Sequence, residues 1–313
     1  MNAVPGGRYK RELAVAGAYL LLLLVLAAVA PSFYAAQFRA TWVAAAPQLV
    51  AAVGMTLVIL ARHIDISVGA QFSVLGVVAG LLSKSGMSMP AVAASCVLLG
   101  AVIGAVNGGL VVGLGLPSIV VTLATMAILR ESLRWVREGE LVRDLPAGFQ
   151  WFGLPQGAGQ WLVVLIALLV FAAFAWGMRY VVAGRAVYAV GSDQEAARLA
   201  GLRPRRIVLW VFILMGALTA VAALLNSVRF AVVDPNAGTG LELLVIAAVV
   251  VGGTAISGGR GTLLGTLIGV ALLGTMGAAL VFLKLQSQWE RAIQGAIILV
   301  AVASEGMKRR RVS

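Results

Sequence analysis

The sequence predicts an all-α polytopic membrane protein of about ten transmembrane segments in two related halves, several of them short or broken. Three observations carry this expectation. Of the 313 residues, 61% are hydrophobic and 12% charged, with a mean hydropathy of +1.00, whereas soluble domains carry roughly 25% charge. Apolar runs close to the ~20 residues needed to cross a bilayer recur along the whole chain. Two stretches about 190 residues apart, HIDISVGAQFSVLGVVAGLL from His63 and GTAISGGRGTLLGTLIGVALL from Gly253, place Ile-Ser and then Gly ahead of an apolar helix.

The spans are expected at 13–31, 41–61, 67–83, 89–113, 117–130, 159–181, 206–228, 241–257, 260–283 and 288–304, so that 1–313 form one transmembrane unit. The first run follows Arg8, Lys10 and Arg11 with no small-residue cleavage site after it, and reads as a true span or signal anchor. The third, fifth and eighth are short enough to be half-helices. Gly100/Gly104 and Gly265/Gly269 have the Gly-x-x-x-Gly spacing that lets helix backbones approach closely.

Charge sets the orientation. The net charge is +12, which in a soluble protein would suggest nucleic acid. In a chain this apolar it belongs on cytoplasmic loops, and no nucleic-acid role is expected. Ten crossings with both termini cytoplasmic put 15 of the 24 basic and 5 of the 12 acidic residues inside, leaving 9 and 7 outside. Trp42, Trp161 and Trp289 fall near outer ends, and Trp176 and Trp210 near inner ends, the headgroup level that amphipathic rings prefer. The expected location is the inner (plasma) membrane, multi-pass, in contact with lipid.

Two long loops interrupt the spans. The stretch 131–158, assigned outside, balances Arg134, Arg137 and Arg143 against Glu131, Glu138, Glu140 and Asp144 and holds Trp135, Phe149 and Trp151. It is either a short surface helix that meets a soluble partner or a plain connection. The stretch 182–207, assigned to the cytoplasm, contains a short amphipathic helix. Ser192 is its expected N-cap, Glu195 completes a capping box, and Gly201 ends it.

Enzyme chemistry has no foothold. Cys96 and His63 are the single cysteine and histidine, so disulfides are excluded and a Cys/His metal site nearly so. There is no His-Glu-x-x-His, Walker A or Ser/His/Asp set. The charged residues Asp65, Asp234, Glu242, Glu290 and Arg291 fall at span ends, where capping and snorkelling account for them. Asp65 is read as the N-cap of the third segment. No catalytic residue, metal or cofactor is expected.

At the level of motifs the chain resembles a known family. Glu195-Ala196-Ala197-Arg198-Leu199-Ala200-Gly201 is similar to the Glu-Ala-Ala-three-residues-Gly coupling loop of ATP-binding-cassette importers; the Ile-x-Leu-Pro ending of its fullest version is absent. Ile64-Asp65-Ile66-Ser67-Val68-Gly69 resembles the Ile-Asp-Leu-Ser-Val-Gly motif of the ribose-type sugar permeases. Pro117–Leu123 is similar to their Pro-x-Ile-Val-Thr-Leu segment, and Gly252–Gly261 to their Gly-Gly-x-x-x-x-Gly-Gly-x-Gly stretch. RHIDISVG and the ending WERAIQGAIILVAV look closest to the rhamnose and autoinducer-2 permeases.

The resemblance implies a transport subunit without its own ATP chemistry. Its partners would be a cytoplasmic ATPase, an extracytoplasmic sugar-binding protein and a second or homologous permease copy. A branched-chain amino-acid or nucleoside permease of the same architecture, and an autonomous secondary carrier, stay open as alternatives. ATPase coupling is assigned to Asp193, Glu195, Ala196, Ala197, Arg198 and Gly201. A translocation path or inner gate is assigned to Asp65, Ser67, Gly69, Ser257, Gly258 and Gly259, because interrupted segments at matching positions of two halves point to such a path. Tight helix packing is the alternative reading of those residues.

Overall fold

In hydrocarbon every backbone N–H and C=O must find a partner within the protein, and the helix does this within one segment. The computed structural model of the chain, in which residues 10–284, 289 and 291–299 are described, is built accordingly from helices. In chain order they are α1 (Lys10–Val29), α2 (Ser32–Ala36), α3 (Phe38–Leu60), α4 (Val68–Lys84), α5 (Met89–Gly113) and α6 (Ser118–Arg137). After a loop with one 3-10 turn come α7 (Gln156–Tyr180), α8 (Val182–Ser192), α9 (Gln194–Leu199), α10 (Pro204–Ser227), α11 (Leu241–Val251) and α12 (Leu263–Phe282). Residues 291–299 are also helical. Six of the described helices, α1, α3, α5, α7, α10 and α12, are long and apolar enough to cross a bilayer, and α4 and α11 are shorter apolar helices.

Two expected span ends move. The fifth span was expected to end at 130, but α6 continues to Arg137. Arg134 pairs with Glu131 one turn back at 2.9 Å, and Arg134 and Arg137 in the last turn suit the negative helix end. The stretch 131–158 therefore begins as helix, not loop. The eighth span stops at Val251, short of 257, where Gly252 and the left-handed Gly253 (φ +94°) break it. Of the expected tenth span, 289 and 291–299 are helical, and the rest of it and the basic C-terminal tail lie outside the described residues.

The helix α3 runs through the centre and packs against α7, α10, α11 and α12. Nearly every residue from Ala45 to Ala61 is buried. α5 and α10 make the closest long pairing. A Cβ on Gly100 would lie 2.3 Å from the Gly216 carbonyl, and one on Gly104 2.1 Å from the Phe212 carbonyl. The opposite face of α5 exposes Leu98, Val102, Val106 and Leu110, four residues apart, as a lipid-facing stripe. Gly265 and Gly269 likewise press backbone to backbone on Gly252 and Ala248, joining α12 to α11. Both Gly-x-x-x-Gly pairs are thus helix contacts.

The two ends of the bundle are distinct. At one, Val142 and Val233 form a single antiparallel bridge and Lys84 pairs with Asp144 at 3.6 Å. At the other, Glu12 of α1 accepts from the Thr262 hydroxyl at the start of α12, and the turns after α3 and α11 meet.

Candidate functional site: two interlocked turns and an exposed helix

The turn after α3 is tightly tied. Ala61, Arg62 and His63 fold back on the carbonyls of Leu57, Ile59 and Val58, and Arg62 takes a left-handed conformation (φ +69°). The Ile64 and Ile66 amides donate to the hydroxyls of Ser118 (3.2 Å) and Thr122 (3.1 Å) at the start of α6. Asp65 has no exposed surface, and its Oδ1 accepts from both the amide and the hydroxyl of Ser67. The N-cap position of α4 is Ser67, so Asp65 satisfies the amide just ahead of the helix instead of occupying the cap itself.

Residues that motif reading passed over complete this cluster. Gln71 Nε2 donates to Ser67 Oγ (2.7 Å) and Asp65 Oδ2 (3.4 Å), and Asn107 Nδ2 of α5 donates to Ser67 Oγ at 3.0 Å. Thr125 of α6 donates to Asn107 Oδ1 at 2.6 Å. The signals were a lone Asn in the apolar run of α5 and a Gln one turn after Ser67. Buried polar groups in a membrane protein are costly unless paired, and here α4, α5 and α6 are held together by the pairing. Gly69 meets a different neighbour: a Cβ there would lie 2.1 Å from Glu242 Oε2 and 2.5 Å from the Gly238 carbonyl.

The second turn, 252–262, closes on the first. The Gly259 amide donates to the Leu60 carbonyl at 2.9 Å, and Arg62 Nε donates to the Ser257 carbonyl at 2.7 Å. Gly258 (φ +81°) and Gly259 (φ +68°) adopt the left-handed conformation that an L side chain strains to hold. They also lack room: a Cβ on Gly258 would lie 2.3 Å from Arg62 Cγ, and one on Gly259 2.3 Å from Ser192 Oγ. Ser257, Gly258 and Gly259 therefore meet the α3 turn through Leu60 and Arg62. Asp65, Ser67 and Gly69 are turned toward α5, α6 and α11. Ser67 has no exposed surface and Ser257 is partly exposed.

The residues of the second long loop join the same junction. The stretch 182–207 holds two helices, α8 and α9. Gly191 near the end of α8 touches the chain at the end of α3, where a Cβ would stand 1.7 Å from the Leu60 carbonyl and 2.8 Å from the Gly259 amide. Tyr188 of α8 donates to the Gly261 carbonyl at 3.0 Å. The N-cap of α9 is Asp193, one residue after the expected Ser192. Its carboxylate accepts the amides of Glu195 and Ala196, both at 2.9 Å, whereas Ser192 still belongs to α8.

The other end of α9 is a Schellman motif: Leu202 N–H donates to the Ala197 carbonyl, Gly201 N–H to that of Arg198, and Gly201 has φ +84°. Glu195 and Arg198 pair on the surface. Ala197, expected on the face offered to a partner, is turned inward and only 4% exposed. It anchors α9 to its own chain, while Leu199 is 76% exposed. A left-handed glycine with no heavy atom within 4 Å of a Cβ leaves the space beyond Gly201 open.

Comparison with known proteins places this geometry. Residues 37–302 match the family described as branched-chain amino acid transport system / permease component. The chain is 33% identical over 304 residues to the autoinducer 2 import system permease protein LsrC of Enterobacter sp. (strain 638), covering 97% of this chain and 89% of the relative. It is 34% identical over 304 residues to the ribose import permease protein RbsC of Escherichia coli (strain K12), covering 93% and 92%. No solved structure matches it. Over almost all of its length, the two turns and α9 included, the chain belongs to this permease family and, within it, to the ribose-type branch.

Proposed function

We propose that the chain is the membrane-spanning subunit of an ATP-driven importer for a monosaccharide or a related small polyhydroxylated compound, rhamnose-like or autoinducer-2-like in kind. It crosses the inner membrane ten times with both termini in the cytoplasm. ATP is hydrolysed by a cytoplasmic partner, cargo arrives on an extracytoplasmic binding protein, and a second permease copy completes the pathway.

One observation carries this reading. The exposed helix α9 is joined through Ser192 and Gly191 to the backbones of both interrupted turns. A groove on the ATPase would take α9 by its exposed residues Ala196, Leu199 and Ala200, helix in groove. Moving α9 then moves α8, and α8 touches Leu60 and Gly259 with no side chain between to absorb the motion. The Ser67 cluster holds its half of the gate together while the Ser257–Gly259 turn shifts against it.

A second reading, a branched-chain amino-acid importer, is favoured by the description of the matching family. Uptake of labelled D-ribose, L-rhamnose, L-leucine and adenosine by proteoliposomes holding the assembled permease, ATPase and binding protein separates the two. ATP-dependent uptake of a sugar and not of leucine is expected. Leucine uptake alone contradicts the sugar reading, and equal uptake without ATP contradicts the coupled importer.

A further inference from the structure

Two hollows among the described residues differ sharply in character. One, of about 420 Å³ between α3, α7 and α12, is apolar apart from Arg39 and Gln160 at its edge. The other, of about 250 Å³, lies between α4, α6 and the segment before α11, and its wall carries Ser73, Arg130, Arg134, Glu138, Asn236 and Thr239. Arg130 stands twelve residues along α6 from Ser118, hence about 18 Å from the junction of the turns at 1.5 Å per residue. The polar hollow thus lies on the far side of the Ser67 cluster from α9.

Its polar groups are under-used. Arg130 Nη2 is 3.6 Å from Glu242 Oε1, an ion pair with side-chain exposures of 30% and 12%. Neither Arg130 Nη2 nor Glu242 Oε2 has a hydrogen-bond partner, although both atoms are buried. Among the described residues the side chains of Asn236 and Thr239 and the Glu138 carboxylate make no hydrogen bond or ion pair. A charge pair held away from water costs stability unless further hydrogen bonds complete it. Charged residues inside a membrane protein commonly mark the route of a polar solute.

We propose that this hollow is a binding station for polyhydroxylated cargo inside the permease. The guanidinium of Arg130, backed by Glu242, and the carboxylate of Glu138 engage neighbouring hydroxyls as donor and acceptor, and Asn236 and Thr239 complete the ring. The proposal rests on the sugar-importer reading and names where its cargo is touched. The volume lies a little under the roughly 300–1,000 Å³ of pockets for drug-sized ligands, which suits a monosaccharide. The mixture of donors and acceptors suits hydroxyls, which are both, while Ala70, Leu133 and Pro235 give the wall an apolar side for the C–H face of a sugar ring. A station on a transport route must bind weakly enough to release, and four ordinary hydrogen bonds in a partly open hollow meet that need.

The test uses the full assembly in proteoliposomes with D-ribose, or with L-rhamnose where the wild type selects it. Asn236→Ala/Thr239→Ala is expected to lower initial uptake roughly five- to fiftyfold, the loss of two hydrogen bonds, with binding-protein capture unchanged. Arg130→Lys, which keeps the charge and loses the planar fork, is expected to fall by a similar factor.

A second measurement does not depend on transport. In a Cys96→Ser background, labelling of Asn236→Cys by a small hydrophilic thiol reagent should slow several-fold in millimolar D-ribose and not in millimolar L-leucine. Normal uptake by the double variant together with unprotected labelling overturns the station and leaves the importer reading intact. Lost capture of the binding protein at unchanged labelling assigns the hollow to a loop of that partner and also overturns it. A wild type that carries leucine and no sugar removes the cargo reading beneath it.

Discussion

Asp65 and Ser67 are chemically conspicuous in the sequence, and their surroundings explain why only half of their role was legible there. The motif identified the turn, but the partners that bury it, Asn107, Thr122 and Thr125, sit on other helices, and nothing local announces which hydroxyl reaches which amide. The Arg130–Glu242 pair escaped for the same reason: each reads alone as a span-end charge, and only the fold places them 3.6 Å apart. The Ser192 cap was displaced because Asp193 offers a carboxylate to two amides, a stronger acceptor than a hydroxyl. Burial also divides the two serines assigned to the proposed gate. In a Cys96→Ser background, Ser257→Cys is expected to react with a water-soluble thiol reagent at a rate that changes when ATP is trapped on the partner. Ser67→Cys is expected to stay protected in every nucleotide state, because its position has no exposed surface. Labelling rates measured in membranes decide it: protection of both, in all states, contradicts a moving Ser257 turn.

At the scale of elements, apolar composition defines the long helices and the short α4 well, and α6 and α11 poorly. α3, α5, α7, α10 and α12 fall within a few residues of their expected spans, since apolar length alone defines them. α6 and α11 do not, because their ends are set by an i,i+3 ion pair in one case and by paired glycines in the other. The face of a transmembrane helix is also hard to read when both faces are apolar; in α5 the signal was small size at four-residue spacing. That packing predicts a sharp contrast between two glycines of one helix. Gly104→Leu drives a side chain into the Phe212 carbonyl and must part α5 from α10, whereas Gly109, with no heavy atom within 4 Å of a Cβ, has room. Size-exclusion profiles in mild detergent should show Gly104→Leu aggregated or absent and Gly109→Leu monodisperse, with a core penalty of about 1–3 kcal/mol for overpacking. Equal behaviour of the two contradicts the α5–α10 contact.

For the whole molecule, polar contacts gather at the two ends of the bundle. Glu12 with Thr262, Arg62 with the Ser257 carbonyl and Ser192 with Gly259 lie at one end, and Lys84 with Asp144 and Val142 with Val233 at the other. Trp161 and Trp176 of α7 are both exposed and stand about 22 Å apart along the helix, near its two ends. A reporter active only outside the cytoplasm should be silent after Ser313 and active near Gly148; the reverse pattern contradicts ten crossings with cytoplasmic termini. The central claim, that α9 receives the motion of an ATPase and hands it to the two turns, is tested most directly by Gly201→Trp. The left-handed backbone there (φ +84°) strains any L residue by roughly 1–2 kcal/mol, and the indole fills the space next to the exposed face of α9. ATP hydrolysis and cargo uptake measured together in proteoliposomes should separate, with uptake falling roughly tenfold or more, as a lost coupling free energy requires, while hydrolysis and membrane insertion persist. Uptake and hydrolysis that remain in their wild-type ratio would contradict the account.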